Sequence, residues 1–184
     1  MEEFSPSARS DRYGKKINRD HSPVLIHGIP WLTVILGSFT PILPLIAAAP
    51  ILPPIGLLFM IAWRLLRPGL LPLWAGFPFG LIDDLYSGQP FGSGILLFSC
   101  ALIALDLMEN RFPWRNFWQN WMTASLVLAP YLLVAAILSG SSPSLALFAV
   151  TLPQILLSIL LFPIIISIAA LLDRIRLLRV RRIG

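Results

Sequence analysis

From Val24 to Leu172 the sequence is so nearly free of charge that water cannot be the solvent of its fold. Charged residues are 12% of the 184-residue chain, against about a quarter in soluble domains, and the mean hydropathy is +0.79. In hydrocarbon every backbone N–H and C=O must find a partner within the protein, which restricts spanning segments to helices or closed barrels. The long apolar runs select helices. A helix crossing ~30 Å of hydrocarbon needs about 20 residues, and the stretch divides into six spans. These are Pro30–Ala47, Pro54–Leu66, Gly69–Leu85, Gly94–Asn110, Trp121–Leu138 and Leu147–Leu172.

The expected fold is therefore an all-α polytopic membrane protein, a bundle of six transmembrane helices. Residues 1–23 form a disordered basic cytoplasmic tail, 24–173 the transmembrane domain and 174–184 a second basic cytoplasmic tail. Ala47-Ala48-Ala49 resembles the end of a signal peptide, but Pro50 would follow the cut and lacks a backbone donor, so the first span is expected to stay uncleaved.

The cations test this topology. With the N-terminus inside, all 14 lysines and arginines fall on the inner side: Arg9, Arg12, Lys15, Lys16 and Arg19, then Arg64 and Arg67, Arg111 and Arg115, and Arg174, Arg176, Arg179, Arg181 and Arg182. No outer loop carries one, as the positive-inside rule requires. The pI near 10.1 is thereby explained without nucleic acid, and both termini are placed in the cytoplasm. The C-terminal arginine cluster reads as a lipid anchor.

Most chemistry is excluded by what the spans lack. Cys100 is the only cysteine, and His21 and His27 both precede the first span, leaving neither a thiolate cluster nor an intramembrane imidazole base. Asp84 and Asp106 belong to opposite ends of the bundle and cannot form an aspartyl dyad. No catalytic residue, metal or cofactor is expected.

Gly76, Gly80, Asp84, Gly88 and Gly92 recur at a spacing of four. Small residues four apart lie on one helix face and let a second helix approach closely, whereas a carboxylate there is costly and marks function. Asp83 and Asp84 are the only charges in an outer segment. Asp84 is expected to cap the start of the fourth span and Asp83 to point outward to a basic partner. Asp106 with Asn110, and Glu109 with Arg111, are expected to make solvated contacts at the inner end of the fourth span. Beyond them, Trp114, Phe117, Trp118 and Trp121 fall at i, i+3, i+4 and i+7, opposite Arg115, Asn116, Gln119 and Asn120. That pattern predicts a short interfacial helix and an aromatic anchor. Pro41 and Pro44 are expected to bend the first span and Pro153 and Pro163 the last. Over Leu145 to Leu172 a single helix would reach ~40 Å, calling for tilt, a kink or a break near Pro153-Gln154.

A proline opening the second span, Arg64 and Arg67 closing it, and the Gly76-x3-Gly80-x3-Asp84-x3-Gly88-x3-Gly92 ladder together resemble the MreD family of rod shape-determining membrane proteins. The resemblance covers about residues 30–172 in layout and is most specific over Gly76 to Gly94. It implies a non-enzymatic inner-membrane subunit of the bacterial elongasome. The partners it implies are MreC, RodA with its class B penicillin-binding transpeptidase, and the actin-like MreB, directly or through MreC. It also implies a fold shared with the substrate-binding subunits of energy-coupling-factor transporters, and so an alternative function as a vitamin-type binding subunit. The outer segments offer few polar groups for such a ligand beyond Asp83, Asp84, Tyr86, Ser87 and Gln89.

Overall fold

The computed structural model describes residues 23–42, 52–111 and 116–176. Of the expected tails, 1–23 and 174–184, residues 1–22 and 177–184 lie outside the described residues, as do the end of the first span after Ile42 and Trp114 and Arg115. Those residues form six α-helices and no strand: α1 (Pro23–Ser38), α2 (Ile55–Leu66), α3 (Gly76–Ser87), α4 (Ser93–Arg111), α5 (Phe117–Leu138) and α6 (Leu145–Arg176). Of these, α5 and α6 are long and apolar enough to cross a membrane.

Proline and glycine place most of the helix ends. Pro68 and Gly69, whose φ is +80°, stop α2. Pro72 cannot donate to a continuing ladder, so the chain passes through a 3-10 turn at Leu73–Ala75 before α3 begins. This is why the third helix starts at Gly76 and not at Gly69. Gly88 (φ +69°) and Gly92 (φ +96°) bracket the turn from α3 to α4, in a region that side chains with a Cβ rarely enter.

Around the bundle, α1, α3, α4, α5 and α6 succeed one another as neighbours, with α6 returning to α1, while α2 packs against α1, α4, α5 and α6. The second helix thus stands inside a ring of the other five. At 12 residues it is only ~18 Å long, too short to span hydrocarbon alone. Apart from Arg64 its sequence is wholly apolar, as in a buried helix, and every residue from Leu57 to Leu65 except Phe59 is buried. Trp63, Phe79, Phe98 and Phe162 are the bulkiest fully buried side chains. Gly37 and Gly56 let α1 and α2 touch backbone to backbone: a Cβ on Gly37 would lie 2.7 Å from the Gly56 nitrogen.

Two of the interior prolines, Pro163 and Pro30, free carbonyls that other helices satisfy. Pro163 has no N–H, so the Ile159 carbonyl one turn earlier loses its helical donor; the Trp121 indole of α5 supplies it at 2.9 Å. Pro30 does the same to Ile26, whose carbonyl accepts from Arg176 Nη1 at 3.0 Å. With those carbonyls filled, α1 runs unbroken through Pro30 and α6 through Pro163, and α6 also continues through Pro153. The break considered near Pro153-Gln154 does not occur. Gln154 instead donates from Nε2 to the Leu52 carbonyl at 2.6 Å.

Trp121→Phe is expected to cost about 1 kcal/mol, the scale of a hydrogen bond between membrane helices. In a Pro163→Ala background the restored N–H takes the carbonyl and that cost should vanish. A double-mutant cycle by thermal unfolding reads the coupling; equal costs in both backgrounds would rule the assignment out.

Candidate functional site

The closest helix pair is α3 and α4, and the glycine ladder is the reason. A Cβ on Gly76 would stand 2.7 Å from the Ser99 Cα of α4, and one on Gly80 would collide with the Gly94 carbonyl and the Ile95 Cα. These obstacles are backbone atoms, which cannot swing aside. Gly94 returns the constraint from α4, since its own Cβ would meet Asp84 Oδ1 at 2.7 Å and the Gly80 carbonyl at 2.8 Å.

That proximity delivers Asp84 to the first turn of α4. Its Oδ1 accepts from the Gly94 amide at 2.7 Å and its Oδ2 from the Gly92 amide at 2.9 Å and the Ile95 amide at 3.3 Å. The Ser93 amide donates to the Pro90 carbonyl at 3.0 Å. The Ser93 hydroxyl lies 2.7 Å from that same carbonyl and 3.3 Å from Asp84 Oδ1. The opening amides of a helix have no partner within it. Here a carboxylate from the preceding helix takes two of them, at the positive end of the α4 dipole. Only 6% of Asp84 is exposed, and its compensation is this set of amides, with no basic side chain needed. Gly76 and Gly80 are therefore packing positions, Asp84 a cap supplied from another helix, Gly88 the left-handed end of α3, and Gly92 the entry to α4.

Asp83 departs from its expected role. It is 8% exposed and lies beside the Ser38 hydroxyl at the end of α1, whose oxygen is buried and finds no other partner among the described residues. The outward orientation toward a basic partner is corrected: α1 and α3 are neighbours, so the side of α3 carrying Asp83 faces α1.

At the opposite end of the bundle the arginines make a second polar cluster. Arg64, 5% exposed, donates from Nη1 to the Leu71 carbonyl at 2.8 Å and from Nη2 to Asp106 of α4. Its Nε lies 3.3 Å from Glu109 Oε2. Asp106 and Glu109 thus reach across to α2 and do not form the solvated end contacts expected of them. Nearby, Arg67 donates to Asp173 Oδ2 from Nε at 3.0 Å and Nη2 at 2.8 Å, and Arg176 donates to Asp173 Oδ1 at 2.6 Å. The Arg176 guanidinium also lies 5.6 Å from the Trp63 ring centre, within cation–π range.

Asp173 thus holds two guanidiniums at once, one from the end of α2 and one from its own helix.

The aromatic stripe divides. Phe117 and Trp118 are exposed, whereas Trp121 turns inward to Ile159. No separate interfacial helix covers them. Asn116 starts α5 by donating its amide to Gln119 Oε1 at 3.0 Å, and the helix runs unbroken from Phe117 to Leu138. Gly37 and Gly56 were not singled out from sequence, and Arg64 and Arg176 were placed at the inner side without partners. Matched depth held a signal for Arg64: it closes the second helix at the end where Asp106 and Glu109 close the fourth.

A comparison with protein families matches the model described as rod shape-determining protein MreD over residues 25–175. The chain belongs to the MreD family. That match takes in all of α2 to α5 and nearly all of α1 and α6. MreD proteins are membrane-associated components of the rod-shape complex, with a structural and not a known enzymatic role, so this chain acts in determining rod shape. No curated protein and no solved structure gives a significant match.

Within this MreD chain, Gly80→Ala is expected to cost about 1–3 kcal/mol by overpacking. Gly28→Ala is its control: it sits in α1 with nothing within 4 Å of a new Cβ and should be neutral or slightly stabilising. Thermal unfolding that fails to separate the two variants would contradict the close approach of α3 to α4.

Proposed function

We propose that this chain is a six-span scaffold in the bacterial inner membrane, with the arginine end of the bundle and both termini in the cytoplasm. Its binding of MreC and of RodA with a class B penicillin-binding transpeptidase organises peptidoglycan synthesis during elongation, with MreB engaged directly or through MreC. The observation that carries this reading is the family match over residues 25–175. Two features of the fold support it. The described arginines gather at one end, as in a positive-inside topology, and the polar side chains at both ends hold helices to one another.

A scaffold contributes by binding one arrangement of its partners better than another, which shifts their population without a reaction step. The ring of helices around α2, tied at one end by Asp84 and at the other by the arginine cluster, gives such binding a rigid surface. Depletion of the protein followed by microscopy and affinity purification from membranes tests the reading. Rounded cells and co-purified cell-wall synthases are expected; normal rods with no such partners would overturn it.

A further inference from the structure

Between α4 and α5 the surface opens into a trough of about 490 Å³, lined on α4 by Leu97, Cys100, Ala101, Ala104 and Met108 and on α5 by residues around Pro130. The small side chains of Ala101 and Ala104 and the compact ring of Pro130 remove bulk where the two helices face each other. From Leu97 to Met108 the trough runs ~16 Å along α4, and its walls are almost wholly apolar. A hydrocarbon chain matches walls that offer no hydrogen-bond partner.

The charge at one mouth completes the match. Arg111 is exposed in the last turn of α4, three residues beyond Met108. Arg64, Arg67 and Arg176 all hold carboxylates, whereas no acidic side chain pairs with Arg111 among the described residues. With α4 across the bilayer, the arginine end lies at the level of the lipid phosphates, where a guanidinium binds phosphate oxygens through charge-assisted hydrogen bonds.

We propose that the trough between α4 and α5 holds one acyl chain of an anionic phospholipid whose phosphate rests on Arg111. The small residues select a chain, and the arginine selects the headgroup. Such a lipid fills the space between two ring helices and ties their arginine ends together.

Native mass spectrometry of the purified full chain with equal amounts of phosphatidylglycerol and phosphatidylethanolamine of identical chains tests this, and needs no partner protein. The native chain should retain phosphatidylglycerol preferentially. Arg111→Gln should lower that preference about fivefold, the equivalent of ~1 kcal/mol for one basic residue near the membrane surface, while still retaining lipid. Ala104→Phe, which fills the trough, should reduce retention of both lipids; Cys100→Phe, from an exposed position, makes the same test if the first variant does not fold. Leu160→Phe on the exposed side of α6 should change neither. Equal retention of the two lipids by the native chain, an undiminished preference in Arg111→Gln, or unchanged retention in the filled variants would overturn the proposal. So would a co-purifying polypeptide displaced by Ala104→Phe but indifferent to Arg111→Gln, because a helix would then occupy the trough.

Discussion

Asp84→Ala is expected to destabilise the bundle by roughly 3 kcal/mol, because the Gly92, Gly94 and Ile95 amides lose a buried acceptor. The cost is large because the alternatives are few. Gly94 and Ile95 open a helix, where no carbonyl of that helix can reach them, and the Ser93 hydroxyl is already beside the Pro90 carbonyl. Asp84→Asn keeps one oxygen but turns an NH2 toward the remaining donors, so about half of the loss should persist. Thermal unfolding in detergent measures both variants, and restoration of rod shape in depleted cells reads the consequence. An Asp84→Ala protein as stable as the native one would show that the cap does not hold α3 to α4.

Arg64→Met is expected to cost about 2–3 kcal/mol, the scale of hydrogen bonds to a charged group and less than a fully buried ion pair would cost, because Asp106 and Glu109 stay partly exposed. The substitution fills similar space but leaves Asp106 and Glu109 facing each other without their cation and frees the Leu71 carbonyl. Arg64→Lys should fall between, since an ammonium keeps the charge but cannot reach three acceptors with one planar fork. Neutralising all three in Arg64→Met/Asp106→Asn/Glu109→Gln should recover most of the loss, because the damage comes from orphaned carboxylates. Denaturation of the four proteins decides this. A triple variant as unstable as Arg64→Met would mean that the apolar stem of Arg64, and not its charge, is what α2 and α4 need.

The contrast between the two aspartates shows how far local pattern carries. The four-residue ladder brings Gly80 and Asp84 to one face and Gly92 to the entry of α4, so the capping geometry is legible in the order of residues. Asp83, one position earlier, falls on the side of α3 that meets α1, and that neighbour is set by the folding of the whole ring. Pro30 makes the same point. Read locally it suits the start of a helix, where its missing N–H is harmless. In the fold it lies inside α1, because Arg176, far along the sequence, fills the carbonyl that Pro30 frees. Trp121 looked like an interfacial anchor because tryptophan at a span end usually is one. Its indole went to Ile159 because Pro163 had left that carbonyl open.

Local sequence signals reveal the helical class, the positions of most helix ends, the end of the bundle that carries the arginines, and the four-residue ladder of Gly76 to Gly92. Each of these depends on a property that acts within a few residues: hydropathy, backbone freedom at proline and glycine, or the sign of a charge. Assembly of the helices sets the rest: α2 stands inside the ring, Arg64 joins Asp106 and Glu109, Asp83 faces Ser38, and Trp121 and Arg176 satisfy the carbonyls freed by Pro163 and Pro30. Those outcomes depend on which helices become neighbours, and in a chain so uniformly apolar hydrophobicity cannot choose among neighbours. Close glycine contacts and a small number of polar partners make the choice, and their partners become visible only when the helices are assembled.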